Sequence, residues 1–274
     1  ILNDKYSIPN MDEERSDSEI LGQYIFEFLK SKSKNKKIVF QDIIHLSNEL
    51  QNNLEGSFSL IVGVPFVGLI AIRDKHGIRP LSYGTNEKND YLISSETSSY
   101  NHTDFNYVND IEPGETILFD NLEKKHYQFS NSEVDKIKLF KPCLFEYLYF
   151  SRVDSSFNNI SIYNFRKLMG ELLGKKLKSK KFDIIVPVPE TSRTYAHSLS
   201  NFLNIPFQEA IILNRYVNRT FIIEHKNDIC EKIKQKFSVV GEIIKDKDIL
   251  ILDDSIVRGN TSKGIISFIK KYNP

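Results

Sequence analysis

Residues 249–262 combine a short apolar run, two adjacent carboxylates and a loop of mainly small polar residues. The apolar run Ile249–Leu252 predicts a buried strand, and Asp253 and Asp254 follow at its carboxyl end. After residue 262 the chain turns apolar again at helical spacing, which predicts a helix. A strand, a loop and a helix in this order form an anion site, because backbone N–H groups and the helix dipole both face the loop.

The two carboxylates indicate what kind of anion this site would take. They are poorly suited to a bare phosphate, but they suit the hydroxyls of a sugar or a divalent cation beside one. A ligand that carries a ribose, a phosphate and a bound Mg²⁺ would use both halves of the motif. The loop is not a Walker A loop, because Arg258 precedes Gly259 and no Gly-Lys-Ser/Thr ends it. An acidic pair that merely caps the next helix would explain one aspartate, but not the second or the loop.

The same segment closely resembles the phosphoribosyl-pyrophosphate (PRPP) signature of the type I phosphoribosyltransferases. In that family the two acids contact the ribose hydroxyls and the metal, and the following loop cradles the 5′-phosphate. The resemblance therefore implies that Asp253 and Asp254 bind PRPP and the metal. It also implies a PRPP-binding loop that consists of Ser255, Val257, Arg258, Gly259, Asn260, Thr261 and Ser262.

The composition is that of an ordinary globular protein. The chain has 274 residues, of which 27% are charged and 40% hydrophobic, which is enough for one large or two ordinary domains. The net charge of +1 gives no argument for a nucleic-acid or membrane partner. Two cysteines are too few for a disulfide framework, so a cytoplasmic location is predicted. The chain starts at Ile1 rather than Met and ends shortly after a helix has begun, so we expect an internal part of a longer protein.

The pattern of elements changes near residue 140. Before it, two helices are predicted from Ser16 or Asp17 to about Leu29 and from about Phe40 to Gln51, followed by an antiparallel β region. The strands predicted in that region cover residues 57–62, 68–73, 81–83, 91–94 and 115–119. After it, strands at 183–189, 210–213 and 249–252 alternate with helices, which is typical of a parallel, doubly wound sheet. Ligands in such sheets bind at the carboxyl ends of the strands.

Four further segments extend the resemblance over nearly the whole chain. They cover residues 73–81 (RDKHGIRPL), 142–150 (PCLFEYLYF), 187–192 (PVPETS) and 214–222 (NRYVNRTFI). Together with the PRPP signature they resemble the glutamine PRPP amidotransferases, or amidophosphoribosyltransferases. That family converts PRPP and glutamine to 5-phosphoribosylamine, glutamate and pyrophosphate, the first committed step of purine synthesis.

The resemblance implies two partial domains. Residues 1–140 would form part of an α+β N-terminal-nucleophile (Ntn) glutaminase-like domain, which releases ammonia from glutamine. Residues 141–274 would form part of an α/β type I phosphoribosyltransferase domain with a parallel sheet, which delivers ammonia to C1 of PRPP. The family's cysteine nucleophile would precede Ile1, so no catalytic nucleophile is assigned in this chain, and the chain as given is expected to lack glutaminase activity.

Further site residues follow by position in the resembling segments. Ser192 matches the family's metal and pyrophosphate-loop serine, and Glu190 and Thr191 beside it are implied PRPP contacts; a plain helix N-cap is the alternative for Ser192. Arg215 and Arg219 fall in the segment that resembles the flexible loop closing over PRPP, with solvated surface charge as the alternative.

The glutamine half and the connection between the halves are represented by three residues. Asp17 matches the acid that holds the α-amino group of glutamine, and a role as helix cap is equally open. Tyr147 and Tyr149 lie where the family communicates between its domains, although core packing is the commoner role of a tyrosine.

Three residues depart from the family pattern within the PRPP motifs. Leu213 replaces a lysine, Asn218 replaces a glycine and Asn260 replaces a threonine, and residues 224–245 lack the basic pattern usual there. These changes put the affinity for PRPP in question more than the type of reaction, so an active copy and a decaying copy are both open.

The resemblance also implies a cofactor and partners. Mg²⁺ is expected with PRPP. The surroundings of Cys143 favour the branch of the family without an iron–sulfur cluster, and leave the cluster open because its other ligands would lie beyond residue 274. The implied partners are PRPP, glutamine or ammonia, purine nucleotides as inhibitors and further copies of the chain as a homo-oligomer, with no nucleic acid and no membrane.

Two other functions compete with this one. A nucleobase phosphoribosyltransferase with an unrelated N-terminal region would not carry the matches at residues 16–19 and 73–81. A non-catalytic or decayed PRPP-binding regulator would be expected to lose the acidic pair or the phosphate loop, and both are intact.

Overall fold

Contacts within the chain divide it after Cys143 into two units, Ile1–Cys143 and Leu144–Pro274. The computed structural model describes residues 16–33, 37–120, 122–130, 140–216, 233 and 235–274. The division lies close to the break that the sequence predicts near residue 140. In the residues described, no helix is long and apolar enough to cross a membrane.

Two helices of the first unit form one layer. They are α1 (Asp17–Ser33) and α2 (Phe40–Asn53). Ser16 is the N-cap of α1: its backbone N–H donates to Glu19 Oε2 (2.9 Å), and the Glu19 N–H donates to Ser16 Oγ (3.4 Å). This reciprocal pair is a capping box, so Ser16 rather than Asp17 takes the cap position that the sequence left open between them.

Two antiparallel sheets form the rest of the described first unit. The larger sheet has the strand order β1-β2-β6-β7, and the smaller has the order β4-β3-β5. Their strands are β1 (Ser59–Val64), β2 (Gly68–Arg73), β3 (Ser82–Thr85), β4 (Tyr91–Ser94), β5 (Asn106–Asp110), β6 (Glu115–Asp120) and β7 (Lys125–Ser130). A 3₁₀-helix, Thr97–His102, lies between β4 and β5.

Alternation of side chains along β2 gives the larger sheet two buried faces. Ile70 and Ile72 pack with the helices α1 and α2, whereas Ala71 between them packs with the smaller sheet. Successive side chains of a strand point to opposite faces, so one strand contributes to both cores. The first unit therefore has three layers: helices, the larger sheet and the smaller sheet.

The second unit is built around a parallel pair of strands. Among the described residues, its helices include α3 (Ile162–Leu177), α4 (Arg193–Leu203), α5 (Gly241–Ile244) and α6 (Asn260–Ile269), and its strands are β8 (Ser156–Phe157), β9 (Ile160–Ser161), β10 (Ile184–Pro187), β11 (Ile211–Leu213), β12 (Phe237–Val239) and β13 (Ile249–Leu252). A π-helical turn, Glu146–Phe150, precedes them, and a 3₁₀-helix, Lys270–Tyr272, follows α6.

Strands β10 and β13 run parallel and carry helices on both faces. Ile184 and Val186 pack with α6, whereas Ile185 between them packs with α3 and α4. The predicted doubly wound arrangement is present at this pair, and the predicted order of an α+β unit followed by an α/β unit is what the structure shows. Strand β11 corrects one part of that prediction, because it pairs antiparallel with β12 instead of joining the parallel pair.

Candidate functional site

The carboxyl ends of β10 and β13 lie side by side in the second unit. Pro187 and Leu252 are Cα partners at the end of the parallel ladder, and the Val188 N–H donates to the Leu252 carbonyl (2.8 Å). The turn 189–192 follows β10, and the residues from Asp253 follow β13. The parallel pairing therefore brings together two segments that are far apart in the sequence.

A cavity of about 580 Å³ lies between these two segments. The residues lining it are Tyr149, Val188, Pro189, Glu190, Thr191, Leu213, Lys236, Phe237, Asp253, Asp254, Ser255, Ile256, Val257, Arg258, Gly259, Asn260, Thr261 and Ser262. All the predicted PRPP residues of the acidic pair and the phosphate loop are among them, and so are Glu190 and Thr191. The site thus has an acidic wall, a loop wall and a turn wall.

The acidic pair is held by its own backbone and by the next hydroxyl. The Asp254 N–H donates to Asp253 Oδ1 (3.0 Å), and the Ser255 hydroxyl donates to Asp254 Oδ1 (2.8 Å). Burial raises the pKa of Asp253; the Asp254 N–H lowers that pKa, the Asp254 charge raises it and the Lys236 charge lowers it. Burial disfavours the charged form of this carboxylate, and a nearby cation would stabilise that form.

The chemistry of this pair fits a Mg²⁺ ion that is coordinated partly by the protein and partly by the ligand. Carboxylate oxygens are ligands that Mg²⁺ prefers, and Mg²⁺ commonly keeps several ligands from water and substrate phosphates. Throughout the described ranges, no group of three or more His, Cys, Asp or Glu side chains could hold a metal ion. Two aspartates alone would therefore need oxygens from a ligand to complete the coordination of the metal.

The loop after the acidic pair ends where helix α6 begins. Gly259 is the N-cap of α6 and has a φ of 71°, a backbone conformation that glycine adopts without steric cost. The Lys263 N–H donates to the Gly259 carbonyl (2.9 Å), which closes the first turn of the helix. The amino end of α6 thus faces the loop, as the anion-site prediction requires.

Ser192 is placed differently from its neighbours in the turn. Its side chain is completely buried, and its hydroxyl donates to the Val188 carbonyl. Ser192 occupies the N-cap position of α4, but its side chain accepts no hydrogen bond from the helix. The hydroxyl therefore stabilises the turn from within and is not among the groups that line the cavity.

Lys236 is a cavity residue that the sequence did not reveal. The Asn214 N–H donates to the Lys236 carbonyl (2.9 Å), and the neighbouring residues Leu213 and Phe237 are Cα partners in the β11–β12 ladder. Lys236 is therefore beside Leu213, the position at which the resemblance expects a lysine. The signal was hidden because only the pairing of β11 with β12 brings these two positions together.

Four other residues that the sequence singled out lie away from the cavity or outside the residues that the structure describes. Arg215 is exposed and is not among the residues lining the cavity. Arg219 and Asn218 lie outside the residues that the structure describes. Of the two tyrosines, Tyr149 lines the cavity, whereas Tyr147 is buried and packs against Phe157 with ring centroids 5.2 Å apart.

Asp17 lies in the first unit, at a separate cavity of about 480 Å³. Its neighbours on the cavity wall include Ser18, Glu55 and Ser57. Asp17 is exposed, and because Ser16 and Glu19 form the capping box, the Asp17 carboxylate is not required for the cap.

Comparison with known proteins first defines the class of the second unit. Residues 158–274 match the family model described as the phosphoribosyl transferase domain. This range contains the parallel pair, the acidic pair and the loop. Residues 158–274 are therefore similar to phosphoribosyl transferase domains.

The chain is similar to amidophosphoribosyltransferases over most of its length. It is 35% identical to the Saccharomyces cerevisiae enzyme over 93% of this chain and 51% of that protein. It is 36% identical to the Methanocaldococcus jannaschii enzyme over 93% of this chain and 54% of that protein. The chain thus spans about half the length of the curated relatives it matches.

A solved structure agrees with this relationship. The glutamine PRPP amidotransferase from B. subtilis, complexed with ADP and GMP, has a TM-score of 0.80 and 27% sequence identity, and covers 99% of this chain and 55% of that protein. These findings confirm the resemblance and the predicted order of fold classes.

Proposed function

We propose that the protein to which this chain belongs is an amidophosphoribosyltransferase. It would convert PRPP and glutamine to 5-phosphoribosylamine, glutamate and pyrophosphate. The observation that carries this proposal is that the acidic pair, the phosphate loop and the 189–191 turn line the same cavity. The similarity to amidophosphoribosyltransferases over 93% of the chain supports the same activity.

The proposed reaction is a displacement at C1 of the ribose. Ammonia forms a bond to C1, the bond from C1 to the pyrophosphate oxygen breaks, pyrophosphate leaves with the electron pair, and the attacking nitrogen loses a proton. The carbon gains positive character as pyrophosphate departs, so catalysis depends mainly on placement and on charge stabilisation.

Each wall of the cavity would hold one part of PRPP. Asp253 and Asp254 would accept hydrogen bonds from the ribose hydroxyls, and the loop with the amino end of α6 would hold the 5′-phosphate. The turn with Glu190 and Thr191 would face the pyrophosphate. Lys236 would add a positive charge near the acidic pair, in place of the lysine missing at residue 213.

We propose Mg²⁺ as the cofactor, held by Asp253 and Asp254 together with oxygens of PRPP. When bound, Mg²⁺ neutralises negative charge on the departing pyrophosphate. The raised pKa of Asp253 supports this assignment, because a cation would relieve the burial of its charge. Ser192 would support the metal site indirectly, because its hydroxyl stabilises the turn that contains Glu190 and Thr191.

We propose that residues 1–140 belong to an Ntn glutaminase-like domain and residues 141–274 to the phosphoribosyltransferase domain. Asp17 would bind the α-amino group of glutamine at the cavity that it lines in the first unit. The B. subtilis relative is complexed with ADP and GMP, which supports purine nucleotides as regulators of this protein too. A homo-oligomer in the cytoplasm completes the proposal.

The test measures pyrophosphate release by the complete protein, with PRPP and Mg²⁺ present. Release that depends on glutamine or ammonia supports the proposal. Release that depends only on a purine or pyrimidine base would instead identify a nucleobase phosphoribosyltransferase. Binding of PRPP without release under any of these conditions would identify a non-catalytic regulator.

A second test applies to this chain itself. Calorimetric titration of the 274-residue chain with PRPP and Mg²⁺ is expected to show binding at one site. The substitution Asp254→Asn is expected to abolish it. Failure of the unmodified chain to bind PRPP would contradict the assignment of the cavity.

A further inference from the structure

One guanidinium group links the turn wall of the cavity to a segment outside it. Arg193 is the first residue of α4, and its Nη1 lies 2.6 Å from Glu190 Oε2. Its Nε lies 2.8 Å from Glu209 Oε1, which makes an ion pair by distance, although the geometry at Nε is not that of a hydrogen bond. The Arg193 N–H also donates to the Glu190 carbonyl (3.3 Å). One side chain thus pairs with two carboxylates while its own backbone closes the turn.

The two carboxylates differ in their position. Glu190 lines the cavity, whereas Glu209 is not among the lining residues. The backbone before Glu209 is fixed to β10, because the Gln208 N–H donates to the Ile185 carbonyl (2.9 Å) and Phe207 forms a parallel bridge with Ile185. Arg193 therefore connects the turn to a segment that is anchored on the central strand.

Electrostatics gives this connection a consequence for an anionic ligand. The carboxylate of Glu190 on the wall of an anion site would repel a pyrophosphate group, with a strength that solvent reduces because this side chain is 48% exposed. Pairing with Arg193 compensates this charge. The planar guanidinium presents several donors in a fixed geometry, so it can pair with two carboxylates at once, which an ammonium group on a flexible stem does poorly.

We propose that Arg193 is a positioning residue for the pyrophosphate end of PRPP. This inference rests on the proposed function of the cavity. Arg193 holds the turn through Glu190 and Glu209, and it keeps the Glu190 carboxylate paired so that the turn can accept an anion. The contribution of Glu190 to binding then comes from its backbone and from the shape of the turn.

The substitution Arg193→Ala should weaken the binding of PRPP with Mg²⁺ about twofold to fivefold, the effect expected when a partly exposed ion pair is lost. It should raise KM for PRPP in the complete protein more than it lowers kcat, because Arg193 does not touch the reacting carbon. The loss should shrink at high salt, since added ions screen the repulsion by Glu190. Arg193→Lys should fall between the unmodified chain and Arg193→Ala.

Two further variants separate positioning from a general structural role. Glu209 does not line the cavity. The substitution Glu209→Gln should nevertheless weaken PRPP binding, as Arg193→Ala does, because it removes the ion pair with Arg193. The double variant Arg193→Ala/Glu190→Gln should recover part of the affinity, because the uncompensated carboxylate is gone while the turn still lacks Arg193. Arg152→Ala is the matched control: Arg152 forms an exposed pair with Asp154 in the same unit (3.0 Å) and should leave binding unchanged.

All variants are measured by calorimetry on the 274-residue chain, with circular dichroism to confirm the fold. Recovery in the double variant together with salt-dependent loss in Arg193→Ala supports the inference. Unchanged affinity in Arg193→Ala, or no recovery in a folded double variant, overturns it while the proposed function stands. Absence of PRPP binding by the unmodified chain overturns both.

Discussion

At the scale of single residues, Asp253 weakens the fold at the position where it would contact the ligand. Burial and the neighbouring Asp254 charge raise the pKa of Asp253 above its ordinary value of 3.8. Between the unfolded and the raised folded pKa, the folded chain binds more protons than the unfolded chain. Stability contributed by this group therefore falls as the pH rises through that window, and the deficit persists at neutral pH.

The substitution Asp253→Asn is accordingly expected to keep or raise the stability of the fold while it weakens PRPP binding. The free energy of unfolding at pH 7 should be equal to or greater than that of the unmodified chain, because the neutral amide carries no buried charge. Binding of PRPP with Mg²⁺ should weaken by at least about tenfold, because a charged ligand group is lost. Urea denaturation and calorimetry check the two parts. A variant that binds PRPP normally would show that Asp253 is not a ligand.

Lys236→Ala is expected to weaken PRPP binding roughly fivefold to tenfold, through loss of one exposed positive charge near the acidic pair. It should also raise the pKa of Asp253 further, because the Lys236 charge lowers it. Titration of the Asp253 carboxyl by NMR and calorimetry with PRPP measure the two effects. Lys176→Ala, an exposed lysine at the end of α3, is the control that should change neither. Equal losses in the two variants would indicate a general charge effect.

Residue types reveal this site only in part. Asp253 and Asp254 could be predicted because they are adjacent and follow an apolar strand. Lys236 could not, because its place depends on an antiparallel pairing that its own sequence does not signal. Ser192 belongs to a recognisable motif, but sequence cannot show that its hydroxyl donates to the Val188 carbonyl inside the turn.

At the scale of elements, helices α3 and α4 pack through a glycine. A Cβ added at Gly170 would lie 2.4 Å from the Tyr195 carbonyl oxygen and 2.9 Å from Ser198 Cβ. The first of these atoms belongs to backbone, which cannot move aside alone. The close approach of the two helices thus depends on the absence of a side chain at this position.

Gly170→Ala should therefore destabilise the second unit by about 1–3 kcal/mol, the usual effect of overpacking. Gly22→Ala is the matched control, because Gly22 lies inside α1 and has nothing within 4 Å of an added Cβ. That substitution should stabilise α1 by up to about 1 kcal/mol through helix propensity. Chemical denaturation of both variants tests the contrast, and stabilisation by both would remove the packing argument.

The elements whose bounds the sequence predicts well have apolar patterns. The predicted bounds of β2, β4 and β13 agree with the structure. Strands β5 and β7 escaped prediction because most of their residues are polar and exposed. No bounds were predicted for helix α3, although Phe165, Met169, Leu173 and Leu177 form an apolar stripe at helical spacing that packs into the cores of the second unit.

At the scale of the whole molecule, each described hydrophobic core contains residues from only one side of the division after Cys143. The clusters around α1, α2 and the larger sheet, and between the two sheets, draw on the first unit alone. The clusters around β10 and β13 and around Phe157 draw on the second unit alone. Each unit therefore has apolar burial of its own, which is the usual condition for independent folding.

Residues 144–274, expressed alone, are expected to fold and to bind PRPP within about threefold of the affinity of the whole chain, because every described residue of the cavity lies in this range. Circular dichroism and calorimetry provide the measurements. Residues 1–143 serve as the counterpart and should fold without binding PRPP. An unfolded or non-binding second unit would reject the independence of the two units.

The parallel pairing of β10 with β13 also determines when the ligand cavity can exist during synthesis. Asp183 and Asp248, which meet at the start of this ladder, are 65 residues apart in the sequence. At roughly 5–20 residues per second, a ribosome needs several seconds to add the second strand after the first. Throughout that interval the apolar strand β10 lacks its partner β13, so the nascent chain exposes unpaired backbone N–H and C=O groups along that edge. Chaperones would be expected to bind such an edge.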